Sequence, residues 1–298
     1  MGLQARRRRG RARSGRIAAG TGRQLHPGVE PAHRPAVRRR AGRPPAASHE
    51  PRLPAVLAQA TAKTARVSEL PSGAAKRRAV REMFDAIAPR YDLVNRIMTL
   101  RLDVAWRRRT ARELALPPGS LVADLACGTG DFCRELARLG HHRIGFDFSM
   151  GMLRAAPAGV GDGAAPLVNA DVLELPLADG ALDGATCGFA LRNLTAISSL
   201  LTELARVLRP GGRVGLLEVD SPTNPVLRWG HGLYFGRVVP QIGALLSDRD
   251  AYRYLPESVA YLPPPEELID GLRSAGFDDV RRHKLSAGIA QMITATRG

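Results

Sequence analysis

The stretch "DLACGTGD", residues 124–131, constrains this chain most. It follows the apolar Leu121-Val122-Ala123 and precedes a helix-like run at Phe132–Leu139. Strand, glycine turn and helix in that order begin a parallel α/β sheet, and the pattern then repeats. Strand-like segments are Leu121–Ala126, Arg143–Asp147, Pro166–Asp171, Gly184–Ala190 and Arg213–Val219. Helix-like segments are Phe132–Leu139, Met150–Ala156 and Ile197–Leu208, the last stopped by Pro210-Gly211-Gly212. A helix at Pro265–Ala275 and two strands, Asp279–Leu285 and Ile289–Thr296, close the chain as a hairpin. The expected fold is α/β, a mostly parallel sheet with helices on both faces.

In such a sheet the ligand sits at the carboxyl ends of the strands, beside the first glycine turn. A P-loop needs a Lys after its glycines, and none is present. The dinucleotide fingerprint needs a third glycine, but position 133 is Cys and Asp131 would repel a pyrophosphate. A cationic nucleoside without phosphate remains, and S-adenosylmethionine fits. Asp124 ends the first strand, where a carboxylate attracts its ammonium and sulfonium. Asp147 ends the second strand, where an acid accepts hydrogen bonds from ribose hydroxyls. Asp171 ends the third and is placed for the adenine amino group. Asp131 is read as complementing a helix dipole rather than as a ligand contact.

Charge narrows the function classes. Residues 1–80 hold 17 Arg and 2 Lys against Glu30, Glu50 and Glu69, so they carry the whole formal charge of +16. The remainder is balanced and has no bulk attraction for polyanions; no nucleic-acid partner is expected. The Arg-, Pro- and Ala-rich residues 1–76 bury too little apolar surface to order themselves and read as a disordered tail. A polyanion-binding arm, an organellar transit peptide and a start assigned too far upstream are the alternatives. The expected methyltransferase domain is 77–298, with helices at 77–118 as a lid and an insertion at 221–262 over the acceptor pocket. Three cysteines without CxxC spacing suggest neither disulfide framework nor zinc site, which fits a reducing cytoplasm. No apolar run is long enough to span a bilayer.

From Phe84 to about Thr296 the chain resembles the ubiquinone/menaquinone-biosynthesis C-methyltransferases. The resemblance rests on "YDLVNRIMTLRLDVAWRR", "DLACGTGD", "FDFSMGML", "FALRN", "VLRPGGR", "SDRDAYRYLPESV" and "LSAGIA". It implies a Rossmann-like class I fold with seven strands, S-adenosylmethionine as methyl donor, and methylation of a demethylmenaquinol-type ring carbon. By motif position the donor contacts are Thr129, Asp147, Asp171, Val172 and Gly188, with Ala126, Gly128, Gly130 and Phe148 beside them. Gly188 departs from the family's usual Ser, Ala190 and Arg101 replace glycines, and Ile293 stands where His is common.

A quinone carbon is electrophilic, so the acceptor must be the reduced hydroquinone, activated by a base or by hydrogen-bond donors. Arg192 and Asn193 follow the fourth strand and face the acceptor side of the cleft. Tyr91 and Asn95 lie one helical turn apart and close over the donor. Asp103, His231, Tyr252 and Tyr254 are further candidates, none singled out as the base. The segment 224–246 mixes Trp229, Tyr234 and Phe235 with Arg228 and Arg237, as either a roof on the pocket or an interfacial contact with a membrane. A methyltransferase of another phenolic or polyketide acceptor is the alternative. An RNA methyltransferase is disfavoured because "FALRN" stands where N/D-P-P-Y/F would be, and a degenerate donor-binding scaffold because the donor loop is intact. The sequence sets no oligomeric state.

Overall fold

The computed structural model describes residues 72–157, 160, 165–238, 241, 254 and 258–298. Seven strands form one sheet in the order β3-β2-β1-β4-β5-β7-β6. They are β1 (Leu121–Leu125), β2 (His142–Asp147), β3 (Leu167–Asn169), β4 (Leu182–Gly188), β5 (Leu208–Val219), β6 (Phe277–Leu285) and β7 (Ala290–Arg297). The first five pair in parallel, and β7 runs antiparallel between β5 and β6, with Leu216 opposite Ile293. The expected architecture holds, including the closing antiparallel pair.

Three helices precede the sheet: α1 (Gly73–Ile87), α2 (Tyr91–Met98) and α3 (Leu102–Glu113). Pro89 sits in a single 3-10 turn between the first two, where its missing N–H breaks the α-helical ladder. The connecting helices are α4 (Asp131–Arg138), α5 (Met150–Ala155), α6 (Ile197–Val207), α7 (Pro225–Leu233) and α8 (Pro265–Ser274).

Strand alternation assigns the two faces of the sheet. Ala123, Leu125, Val214 and Leu216 face one way and pack with Leu200, Leu204, Leu268 and Leu272 of α6 and α8. Val122, Leu217 and Met292 face the other way, against Trp106 and Leu114 of α3 and its end and Phe132 and Leu136 of α4. Ile293 belongs to the first core at 1% exposure, so its departure from the family pattern lies in packing and not in a ligand pocket.

Two expectations shift. Residues 73–76 belong to α1 and not to the tail, because Lys76 is buried and bonded to the rest of the fold; residues 1–71 lie outside the described residues. Pro210-Gly211-Gly212 does not stand between elements. β5 already pairs at Leu208 with Leu182 and resumes at Arg213 with Gly184, so the glycines form a bulge within the strand.

Candidate functional site

Two cavities meet at the carboxyl end of the sheet. The donor cleft is narrow, about 80 Å³, with α1 laid across it. Its walls include Ala126, Gly128, Asp147, Phe148, Asp171, Val172 and Gly188, all named from the sequence as donor contacts, and also Tyr91 and Asn193, which were named for the acceptor side. The second cavity is larger, about 580 Å³, and mostly aliphatic and aromatic. Tyr91, Asn95, Asp103 and Arg192 supply polar atoms to it. Phe84, Tyr91 and Phe189 belong to both walls and so form the partition.

The donor cleft has the chemistry of a cation and sugar site. Asp147 accepts from the Gly128 and Ser149 N–H groups, each at 2.8 Å. Each carboxylate oxygen retains a further lone pair for a hydroxyl. Burial pushes its pKa up to about 6. Gly128 has φ +55°, and a Cβ there would meet open space, so its backbone borders the void. The Oδ1 of Asn193 is buried without a hydrogen-bond partner, an acceptor free for an incoming donor group. These features fit a cationic nucleoside.

Three expected donor contacts are not brought to this wall. Asp124 shares the face of Val122, because side chains alternate along β1. It therefore points beneath α4, 1% exposed, with Thr186 Oγ1 at 3.2 Å and Cys133 Sγ at 3.7 Å. Burial raises its pKa to about 7, against the lowering effect of Arg107. Thr129 turns its hydroxyl to Asp92 Oδ1 at 2.6 Å. Gly130 is needed for packing, since a Cβ there would lie 2.7 Å from Val160.

On the acceptor side the expectations divide. Tyr91 and Asn95 share a face of α2, as their spacing implied, and line the large cavity. Arg192 lines that cavity, whereas Asn193 lines the donor cleft. Asp103 is fully buried and receives Arg96, Arg107 at 2.7 Å and Thr99 at 2.7 Å. Two guanidinium groups and a hydroxyl thus occupy its oxygens, and the carboxylate serves as a structural hub for α2 and α3. Asp131 is likewise an ion-pair hub, bound by Arg96, Arg107 and Arg134. Tyr254 keeps a buried hydroxyl without a partner, its pKa pushed up to about 12 by burial. Tyr252 and the side chain of His231 lie outside what is described.

The structure adds residues that the sequence reading missed. Glu218, 1% exposed, pairs with Arg192, whose Nε also donates to Ser258 Oγ at 3.2 Å. Its signal was an acid at the end of β5, the same position that marked the other acids. Arg107 lies over Phe189 at 5.1 Å and over Phe132 at 5.9 Å, fixing the partition from behind. Lys76 donates to the carbonyls of Arg192 and Leu194 at 3.0 and 2.8 Å and sits 3.6 Å over the Tyr261 ring. Nothing in the Arg-rich segment around it distinguished that one cation.

Among solved structures, the fold is similar to magnesium protoporphyrin IX methyltransferase from Synechocystis (TM-score 0.51, 20% identity, 75% of this chain and all of that one). It is similar also to the putative methyltransferase in complex with the Haloferax volcanii Trm112 activator (TM-score 0.52, 16% identity, 72% of this chain and 96% of that one). Sequence relatives are nearer. Demethylmenaquinone methyltransferase of Roseiflexus sp. (strain RS-1) is 42% identical over 231 residues, 76% of this chain and 97% of the relative. Ubiquinone/menaquinone biosynthesis C-methyltransferase UbiE of Syntrophotalea carbinolica is 41% identical over 224 residues, 73% of this chain and 93% of the relative. With residues 72–297 matched by the family model as well, the chain belongs to the ubiE/COQ5 methyltransferase family.

Proposed function

We propose that this enzyme methylates a ring carbon of a demethylmenaquinol-type prenylated hydroquinone. S-adenosylmethionine, when bound, supplies the electrophilic methyl group. One observation carries the reading: an acid-edged cleft and a large apolar cavity share the partition Phe84–Tyr91–Phe189. Asp147, Asp171, Gly128 and Asn193 would hold the donor, and Val172, Ala126 and Phe148 would shape its bed.

The acceptor chemistry follows from what surrounds Arg192. A hydroquinone carbon becomes nucleophilic when its phenol gives up a proton, so groups that stabilise phenolate raise reactivity. The Arg192 guanidinium, anchored by Glu218 and Ser258, presents fixed donors to a phenolate oxygen. The Tyr91 hydroxyl, whose pKa burial raises while Arg107 and Arg192 pull it down, stays protonated and adds a second donor. Asn95 offers an amide to the other ring oxygen. Water is kept out by Phe84, Met98, Trp106 and Phe189, which line the cavity. The aliphatic mouth at Leu100, Leu102, Val226 and Leu227 suits a prenyl chain leading away from the ring. Among the described residues no helix is long and apolar enough to cross a membrane; the reading puts the enzyme in the cytoplasm, drawing substrate from the membrane surface.

The test is incubation with labelled S-adenosylmethionine and a panel of reduced demethylmenaquinones and unrelated phenols. Label on the ring carbon of the quinol supports the reading. Label only in another phenol would replace it with the broader phenolic reading.

A further inference from the structure

We propose that the rim of the acceptor cavity is a docking surface for an anionic lipid bilayer, with Leu100-Arg101 and the Trp229 side of α7 as contact points. The inference rests on the reading of the acceptor as a membrane-borne prenylated quinol.

Exposed apolar surface is the first observation. Among the described residues every exposed large hydrophobic except Leu121 falls in 93–102, in 226–238 or at Val259. Leu100 and Val226 are each 75% exposed and Trp229 is 72% exposed. A soluble monomer rarely leaves so concentrated a patch unless something covers it. Leu100, Leu102, Val226 and Leu227 also line the cavity, so the patch surrounds its opening. The Tyr234 hydroxyl donates to the Met98 carbonyl at 3.0 Å and ties the two stretches into one surface.

Charge identifies the occupant. Residues 93–102 and 221–238 contain four arginines and no Asp or Glu. Arg101, Arg228 and Arg237 are exposed beside the apolar side chains. Aliphatic residues and Trp flanked by arginines are what an element resting in a headgroup layer displays, and an anionic surface attracts each cation. The backbone adds a third observation. Leu100 and Arg101 both have positive φ, 51° and 63°, a conformation unfavourable for residues with a Cβ. Such strain persists where the surrounding fold enforces it and concentrates at functional sites. Here it turns a leucine and an arginine outward, side by side, at the mouth.

Tryptophan emission tests the proposal on the full chain. The only tryptophans are Trp106, which is buried, and Trp229, so a blue shift on adding vesicles reports α7. The Arg-rich segment 1–71 contains no tryptophan and is identical in every variant, so it cannot produce a difference between them. Phosphatidylglycerol vesicles should shift the emission, phosphatidylcholine vesicles far less, and added salt should reverse the shift. Arg101→Gly and Arg237→Ser should each weaken lipid affinity about fivefold. Both should leave turnover of a short-chain, water-soluble quinol unchanged, and Arg101→Gly should not lower the melting temperature, since glycine accepts that φ. An unchanged emission, or an equal response to both lipids and in both variants, overturns the proposal. So does a shift that follows protein concentration without vesicles and accompanies the sedimentation of a dimer, which makes the occupant a second copy. Vesicle binding with no methylation of any quinol would instead overturn the substrate reading and leave the docking surface standing.

Discussion

At Gly188 a side chain would have nowhere to go. A Cβ there would lie 2.6 Å from Phe132 Cε2, and that ring is 2% exposed, packed in a core and covered by Arg107. The family's serine would not simply restore a hydroxyl contact in this chain. Gly188→Ser should destabilise the fold by about 1–3 kcal/mol, as overpacking does, and lower donor affinity; chemical denaturation and calorimetry would check both. Residue identity at the strand ends was legible: Asp147 ends β2, Asp171 follows β3 by two residues, and both stand on the donor cleft because the carboxyl ends of a parallel sheet open there. What the spacing could not convey was direction. Asp124 looked equivalent to Asp147, yet the two-residue period of β1 puts it under α4. Phe132 explains Gly188 only once the helix is seen packed against the strand.

The element least legible was α1. Its residues 73–78 continue a run of basic and small residues, and the contacts that attach it are made with partners more than 60 positions away. Three attachments hold it: Lys76 on the Arg192 and Leu194 carbonyls, Arg77 on Asp171 at 2.5 Å, and Asp85 on Ser149 and Gly151. They differ in weight. Arg77 is 56% exposed, and exposed pairs contribute about 0–1 kcal/mol. Lys76 is 4% exposed, and its removal strands two carbonyls. Lys76→Met should therefore cost about 2 kcal/mol and lower the melting temperature by about 4–8 °C for a domain of this size. The same helix lies across the donor cleft and lines it with Arg77, Val80 and Phe84, so loosening α1 should ease the donor's passage. Lys76→Met should accordingly speed both association and dissociation of the donor in stopped-flow fluorescence, with dissociation gaining more. Unchanged rates would dissociate α1 from donor access.

For the molecule as a whole, two buried acids of the sheet link stability to pH, and Asp147, on the donor wall, links donor binding to it as well. Asp124 and Asp147 are nearly fully buried, and burial raises both from 3.8, to about 7 and about 6. Between pH 4 and 7 the folded protein thus binds more protons at these sites than the unfolded chain does. Stability from this source must fall as pH rises through that window. A cationic donor reverses the preference at Asp147, because a positive charge beside a carboxylate favours its ionised form. Donor binding should release protons near neutrality and strengthen from pH 5 to 8. Two opposite slopes are expected in thermal melts: the free protein loses stability across that range from these two groups, while the stabilisation conferred by S-adenosylmethionine grows. Asp147→Asn should flatten the slope at its lower end and reduce donor stabilisation at pH 8, whereas Asp124→Asn, beneath α4 and off the donor wall, should flatten only the upper end. Parallel melts of free and donor-saturated protein at every pH would break the link between Asp147 and the donor's charge.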